Sequence, residues 1–520
     1  MKQRTKKPRV MIIWDGFGIR PKYEGNAVEL AKKPVYDGLR RDFLYTELGA
    51  SGEDVGLEKS AMSGSEVGHA NIGAGRIVKQ ESRLISESIE DGSFFKNSVL
   101  TGAMNHVKQY GSKLHLMGLL SNGDSPHSRK NHFAALLNMA KMNNISKVFV
   151  HFFSDGRDSK PKSARKCLKY WEEEMRKQGV GKVATIGGRY YGMDRAKNWD
   201  RLKKAYEAIV QGKGEKVATA GQAISAGYKK GLTDEFILPS VIYEAGKPVA
   251  RFQDGDAVIF FNLRSDRARQ FTKLFVQKTS RETELPEPRL NDLYFAAMTA
   301  FGPDLEVRTA YEGKKLLGTL PRVLGENKKK QLYISETEKF AHVTYFLNGG
   351  FPEAVGGEDR IMIPSKEIKS YDQVPEMSAK LVTDVIIKYL REDLYDFIFV
   401  NYPNPDMLGH TGNIKATIKG IEFIDKCLGR VWKEVEQKDG FLLLAADHGN
   451  AEEMIDLNDG SKLTFHTRNK VPFLTAAKEM KGKKLEAGGI LGNIAPTILD
   501  AMGLERVKEM ISGLFVKRVK

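Results

Sequence analysis

At 520 residues the chain is long enough for roughly two to four domains of 100–200 residues each, more than a single hydrophobic core organises. A hydrophobic fraction of 41%, with 26 Phe, 18 Tyr and 4 Trp, excludes a disordered chain, and 50 Gly without a repeating period exclude a collagen-like one. The formal charge of +16 suits nucleic acid, an anionic surface or acidic small substrates, but the basic residues are spread along the chain, with short runs at Lys328–Lys330 and Lys481–Lys484, and no aromatic-interleaved basic motif occurs. A solvated basic surface is therefore the reading, and no nucleic-acid partner is expected.

The basic start followed by Val10–Trp14 imitates a signal peptide, but Asp15 ends the apolar run after five residues, short of the roughly 7–15 that such a segment needs. No later stretch approaches a membrane span, so no membrane partner is expected. Short apolar runs then recur at Val10–Trp14, Lys113–Ser121, Lys147–Phe153, Ala257–Asn262, Asp396–Tyr402 and Phe441–Asp447. They have the composition of strands buried on both faces. Between them, Ala164, Leu168, Trp171 and Met175 fall at helical spacing, as do Ile418, Ile421, Leu428 and Val431. Alternating strand and helix predict an α/β class. Cys167 and Cys427 both fall in helical stretches, which predicts no disulfide and a reducing, cytoplasmic setting.

Parallel α/β sheets place ligands beyond the carboxyl ends of their strands, so the polar residues after each apolar run carry the functional reading. Asp15 and Gly16, Ser121–Gly123, Ser154–Asp158, Asn401–Asp406 and Asp447–Asn450 all stand in such places. Asp406 and His410 lie four residues apart, Asp447 and His448 side by side, and His466 follows, out of only ten histidines. Carboxylate with imidazole suits a borderline divalent ion such as Mn or Zn. With Asp15 as a third carboxylate the ligand count suggests two metals, the arrangement that clamps both oxygens of an in-line phosphoryl displacement. A serine in Ser60–His69, at a predicted helix start, is the candidate nucleophile, where a metal and backbone N–H groups favour the alkoxide. Arginines after three further strands (Arg157; Arg189 and Arg195; Arg264, Arg267 and Arg269) offer bidentate forks for a small polyanion.

The ordered motifs MIIWDGFG, GSEVGHANIGAGR, HFFSDGRDSKPKSA, GRYYGMDR, IFFNLRSDRAR, ISETEKFAHVTYFLNGG, EDRIMIPS, YDQVPEMSA, NPDMLGHTGN, ADHGNAEEM and GNIAPTILD run nearly end to end. With them the chain resembles the cofactor-independent (2,3-bisphosphoglycerate-independent) phosphoglycerate mutases of the alkaline-phosphatase superfamily. The resemblance implies a phosphatase-like metal domain made of residues 1–78 and 313–520, with a phosphotransferase domain, 79–312, inserted between hinges near Lys79 and Glu312. It implies one divalent ion on Asp406, His410 and His466 and another on Asp15, Ser65, Asp447 and His448, with Mn2+ first and Co2+ or Zn2+ accepted by the same ligands. Ser65 would be the phosphorylated nucleophile and Lys339 would steady phosphate charge. His127, Arg157, Asp158, Arg189, Arg195, Arg264 and Arg267 would hold 2- and 3-phosphoglycerate, and closure of the domains would keep water from the phosphoserine. A monomer is expected.

Three stretches depart from the family's usual wording: Ser60–Ser65 before the nucleophile, Asn122–Ser128, and Phe465–Asn469. None removes an implied metal ligand. A phosphatase, sulfatase or phosphopentomutase of the same superfamily is the competing enzyme reading, countered by the arginine set. A catalytically silent binding protein is countered by the intact serine and ligand positions. The substrate pocket accounts for fewer than ten of the 82 Lys and Arg residues, so the net charge is left without a function.

Overall fold

The computed structural model describes residues 7–121, 125, 127–277, 290–302, 304–313, 315–480 and 484–516. Asn122, Gly123, Asp124 and Pro126, named above, and Lys481 to Lys483 lie outside the described residues. The chain divides into two compact units, Met1–Gln80 with Lys315–Lys520, and Glu81–Lys314.

In the first unit the six predominantly apolar residues Arg9–Trp14 form a strand with parallel neighbours on both sides, paired Arg9 to Phe397 through Trp14 to Tyr402 and Arg9 to Phe441 through Ile13 to Ala445. Burial on both faces is why the run shows no polar alternation. The eight-stranded sheet runs, in spatial order, Glu358–Ile363, Gln331–Glu336, Phe397–Tyr402, Arg9–Trp14, Phe441–Ala445, Val471–Ala476, Leu44–Gly49 and Gly489–Ile490. Val471–Ala476 is antiparallel to both of its neighbours, and the other pairings are parallel. Helices Ala379–Arg391 and Ile414–Gln437 pack their apolar stripes into the core of this unit, with Ile421, Leu428 and Val431 fully buried.

The second unit holds a nine-stranded sheet. At its centre Ala257–Phe260, Leu114–Leu120, Val148–Ser154 and Lys182–Gly188 lie side by side, all parallel. Period-two geometry sends Leu114, Leu116 and Leu120 into one core and Met117 and Leu119 into another on the opposite face. Ala164–Gln178 and Ser265–Val276 are helices that cover these faces. Both cysteines are buried and unbridged, Cys167 in Ala164–Gln178 and Cys427 in Ile414–Gln437.

Helix Ser65–Ala74 packs close to its neighbours because two of its positions, Gly68 and Gly73, carry no side chain. A Cβ on Gly68 would lie 2.7 Å from the Asp447 carbonyl oxygen, and one on Gly73 would lie 1.9 Å from that of Leu347. Neither neighbour is a flexible side chain, so backbone must move. Gly73→Ala is expected to destabilise the first unit by about 1–3 kcal/mol through overpacking. The measurement is a lowered thermal midpoint for that unit, read from hydrogen exchange of the Arg9–Trp14 amides; an unchanged midpoint contradicts the close packing.

Candidate active site

Four adjacent parallel strands of the first unit end at one edge and each delivers a polar side chain there. Arg9–Trp14 leads to Asp15, Phe397–Tyr402 to Asp406 and His410, Phe441–Ala445 to Asp447 and His448, and Gln331–Glu336 to Lys339. Ser65 opens its helix as the first helical residue after Gly64, so its hydroxyl stands where backbone N–H groups are free of intrahelical partners. Its Oγ donates to Asp15 Oδ1 at 3.1 Å and lies 2.9 Å from His448 Nε2. The buried Lys339 Nζ donates to Asp15 Oδ1 at 2.8 Å, to Ser65 Oγ at 2.6 Å and to Asp406 Oδ2 at 2.7 Å.

The remaining histidines gather around Asp406. Its Oδ1 is 3.3 Å from His410 Nε2 and 3.3 Å from His466 Nε2, and those two nitrogens are 3.2 Å apart. Each ring is oriented from behind by a main-chain carbonyl at its Nδ1: Thr464 for His410 at 2.7 Å and Ser63 for His466 at 2.8 Å. That arrangement leaves Nε2 facing the carboxylate, as in metal-binding imidazoles whose other ring nitrogen is held by a hydrogen bond. His448 sits between the carboxylates, 3.3 Å from Asp15 Oδ1, 3.7 Å from Asp447 Oδ2 and 4.0 Å from Asp406 Oδ1. Asn401 donates to Asp15 Oδ2 and Asn450 to Asp406 Oδ1, each at 2.8 Å.

Burial is the largest influence on these carboxyls and would raise them, but Lys339 together with His448 for Asp15, and with His410 and His466 for Asp406, outweighs it, so both lie well below the ordinary carboxylate range. His448 moves the other way. Burial lowers it, Asp447, Asp15 and Asp406 more than compensate, and its pKa is pushed up to about 10. His410 is raised against its burial by Asp406, whereas His466 is lowered by burial and by His448.

Two groups of potential ligand atoms come close enough to share an ion, Asp406 with His448 and His466, and Asp15 with His69 and Asp447. Mixed carboxylate and imidazole donors match a borderline divalent ion, and Asp447 Oδ2 is buried without a hydrogen-bond donor. The residues therefore fit a metal. His69 went unread in the sequence. Fully buried, it places Nδ1 2.9 Å from the Ser65 carbonyl and 3.2 Å from Asp447 Oδ2, and Nε2 3.2 Å from Asn401 Nδ2. The signal available was its position four residues after Ser65 on the same helix face.

The second unit gathers its candidates at the carboxyl ends of its own four central strands. Arg189, almost wholly buried, donates from Nη1 to Asp155 Oδ1 and Asp158 Oδ2 at 2.6 Å each, and its Nη2 lies 3.1 Å from His127 Nε2. Burial and Arg189 push His127 down to about 3, so its ring is neutral and can accept that hydrogen bond. Arg195 donates to Asp266 Oδ2 at 2.8 Å, with Arg264 3.6 Å from Oδ1. Arg267 donates to the Met193 carbonyl at 3.2 Å. Burial, with the charges of Arg189, Arg195 and Arg157, lowers Arg267 to about 10, the mark of a concentrated positive pocket. Arg157 faces Glu235 at 3.5 Å and is half-exposed. The carboxylates Asp155 and Asp266 that brace the arginines were legible only as parts of motifs.

This fold and donor set define a metalloenzyme, and residues 7–506 match the family described as the Metalloenzyme superfamily. The chain is 49% identical over 507 residues to 2,3-bisphosphoglycerate-independent phosphoglycerate mutase of Clostridium perfringens, covering 97% of this chain and 98% of the relative. It is 46% identical over 518 residues to that of Clostridium botulinum, covering 99% and 100%. Crystal structures of Leishmania mexicana phosphoglycerate mutase at low cobalt concentration superpose with a TM-score of 0.81 at 28% identity, covering 99% of both chains. The chain belongs to the 2,3-bisphosphoglycerate-independent phosphoglycerate mutase family.

One carboxyl beside the site carries a cost. Glu336 ends the strand that leads to Lys339, accepts the Ser378 amide through Oε1 at 2.8 Å and leaves Oε2 buried without a partner. Burial pushes its pKa up to about 7. A raised carboxyl favours the folded state below its ordinary pKa, and that advantage is lost as pH rises through 7. Glu336→Gln is therefore expected to raise the thermal midpoint at pH 8, by the equivalent of about 1–3 kcal/mol, and to change it little at pH 4.5. Equal effects at both pH values contradict the assignment.

Proposed function

We infer that this protein interconverts 3-phosphoglycerate and 2-phosphoglycerate without 2,3-bisphosphoglycerate, through phosphoserine at Ser65. The observation that carries the reading is Ser65 Oγ, held at a helix start by Lys339, Asp15 and His448 beside two groups of potential metal ligands. Family membership supplies the substrate.

By family resemblance Asp406, His410 and His466 would hold one divalent ion and Asp15, Ser65, Asp447 and His448 another, although the ligand atoms that lie closest together are those of Asp406, His448 and His466 and those of Asp15, His69 and Asp447. Mn2+ is the first choice, and Co2+ or Zn2+ suit the same ligands. Such ions polarise phosphoryl oxygens and favour the serine alkoxide when bound.

The chain's own residues do the rest. Lys339 donates to Ser65 Oγ and so lowers the cost of deprotonating it. Ser65 Oγ forms a bond to phosphorus as the bond from phosphorus to the C3 oxygen breaks, and that oxygen takes the proton Ser65 has lost. Arg157, Arg189, Arg195, Arg264 and Arg267, with His127 and Asp158, would hold glycerate through its carboxylate and hydroxyls while it re-orients. The C2 hydroxyl then bonds to phosphorus, the Ser65 Oγ–P bond breaks, and the proton returns to Ser65. Attack by water instead would yield a phosphatase, so the arginine pocket must retain glycerate. Residues 79–312 would serve this transfer role and the rest of the chain the metal chemistry. A monomer in the cytoplasm completes the reading, and the two buried, unbridged cysteines suit a reducing compartment.

The deciding experiment is a coupled assay for 2-phosphoglycerate formed from 3-phosphoglycerate, with Mn2+ and no bisphosphoglycerate; no turnover ends the reading. Ser65→Ala should abolish turnover and leave the fold nearly intact, and mass spectrometry should find phosphate on Ser65 after brief exposure of the parent enzyme to substrate. A fully active Ser65→Ala protein contradicts the phosphoserine step.

Metal and protons should compete. His448 binds a proton up to about pH 10 without metal and must be neutral as a ligand, so binding below that pH releases the proton and affinity falls as pH falls. Raising Mn2+ should therefore move the acid limb of the pH–activity curve to lower pH. An acid limb unmoved between subsaturating and saturating Mn2+ assigns the loss to another group.

A further inference from the structure

Part of the positive charge that the substrate pocket leaves unexplained lines one cleft. A cleft of about 650 Å³ in the first unit is lined by Arg20, Lys22, Arg40, Arg468 and Lys470 against only Glu29 and Glu47, with Ile19, Pro21 and Asn469 completing its walls. That volume lies within the range of small-molecule sites, roughly 300–1,000 Å³, and exceeds what a single phosphate fills.

The walls are held by contacts that leave most of the cations free. Ile19 N donates to the Lys470 carbonyl at 2.8 Å, which sets the segment at Ile19–Lys22 beside the one at Arg468–Lys470. Asn469 is tied down by donating to the buried Glu452 at 2.9 Å and to Glu453 at 3.2 Å, and Glu453 also pairs with Arg20. Arg468 and Lys470, two apart with Asn469 between, are both exposed. Arg40 lies over the Tyr45 ring, 4.3 Å from its centroid, so its guanidinium is braced by an aromatic face and keeps its donors available. Of the two acidic residues, Glu29 is engaged by Lys33 at 4.0 Å. Among the described residues Lys22, Arg40, Arg468 and Lys470 make no ion pair. Gathering four such charges into one concavity is unfavourable by itself and favourable once a multiply charged anion enters.

We propose that this cleft is a second anion site, distinct from the arginine pocket of residues 81–314, which takes an organic metabolite carrying two or more phosphate groups. Two adjoining basic segments, with Arg40 on the helix Pro34–Asp42 as a third anchor, suit two separated phosphates better than one. Arginine forks at Arg40 and Arg468 supply bidentate recognition, and Lys22 and Lys470 supply point charge.

The test is calorimetric titration of the metal-loaded enzyme with fructose 1,6-bisphosphate as the probe, at 0.15 M ionic strength. The parent protein should bind with Kd at or below about 1 mM. Arg40→Gln/Arg468→Gln/Lys470→Gln should weaken binding at least tenfold, while Lys415→Gln/Lys419→Gln/Lys433→Gln, with the same change in net charge on the exposed face of another helix, should not. Since Arg468 is near His466, the double variant Arg40→Gln/Lys470→Gln keeps the test sound if the triple variant loses metal. Equal weakening by both triple variants would mean diffuse charge only, and unweakened binding in the cleft variants would place the probe in the arginine pocket. Either result overturns the proposal, as does no binding by the parent protein, or tighter binding of poly-glutamate at equal charge, which would mark an acidic protein surface instead.

Discussion

The ammonium of Lys339 is the interaction on which the first unit's chemistry rests. Asp15, Asp406 and Asp447 are all buried, and burying an uncompensated carboxylate is strongly unfavourable. One lysine reaches two of the three and the serine hydroxyl together, and a protonated His448 answers the rest of the negative charge. The cationic group thus fixes where the carboxylates point and which proton is easiest to lose. A site arranged this way is organised before any substrate arrives, and its electrostatic stabilisation needs little rearrangement during reaction.

The lysine can do this because of sheet geometry. Parallel strands deliver their carboxyl ends to one edge, so residues hundreds of positions apart become neighbours without any long side chain having to search for its partner. The second unit repeats the device with opposite sign: arginines crowd at the ends of its central strands, braced by Asp155, Asp158 and Asp266. Each unit solves the like-charge problem by interleaving a few groups of the other sign. Small residues complete the geometry, Gly68 letting the helix of Ser65 close on the Asp447 backbone.

Much of this was legible before any coordinates. Strands buried on both faces announce themselves as unbroken apolar runs, and Val10–Trp14, Asp396–Tyr402 and Phe441–Asp447 all became neighbouring strands whose polar successors meet. What escaped reading lacks such a pattern. His69 looks like any helical histidine until the partners of its ring are known, and although Asn401 was marked by its place at a strand end, its reach to Asp15 depends on a pairing almost four hundred residues distant. The antiparallel strand Val471–Ala476 is as apolar as its parallel neighbours, so its direction could not be told from composition. The basic cleft was invisible for the same reason: Arg20, Arg40 and Arg468 come from separate stretches, and only the pairing of Ile19 with Lys470 brings two of those stretches together.

The central position of the strand Arg9–Trp14 also has a consequence in time. It leaves the ribosome well before either of its sheet partners, both of which lie beyond residue 396. At roughly 5–20 residues per second, translation leaves it without either partner for ~20–80 s. Meanwhile the contiguous segment Glu81–Lys314 has every strand of its own sheet and can fold as it emerges. For that interval the nascent chain carries an apolar strand with two open edges, the form most prone to pair with another copy. The strand that anchors the finished enzyme is thus the one most in need of protection by chaperones while the chain is being made.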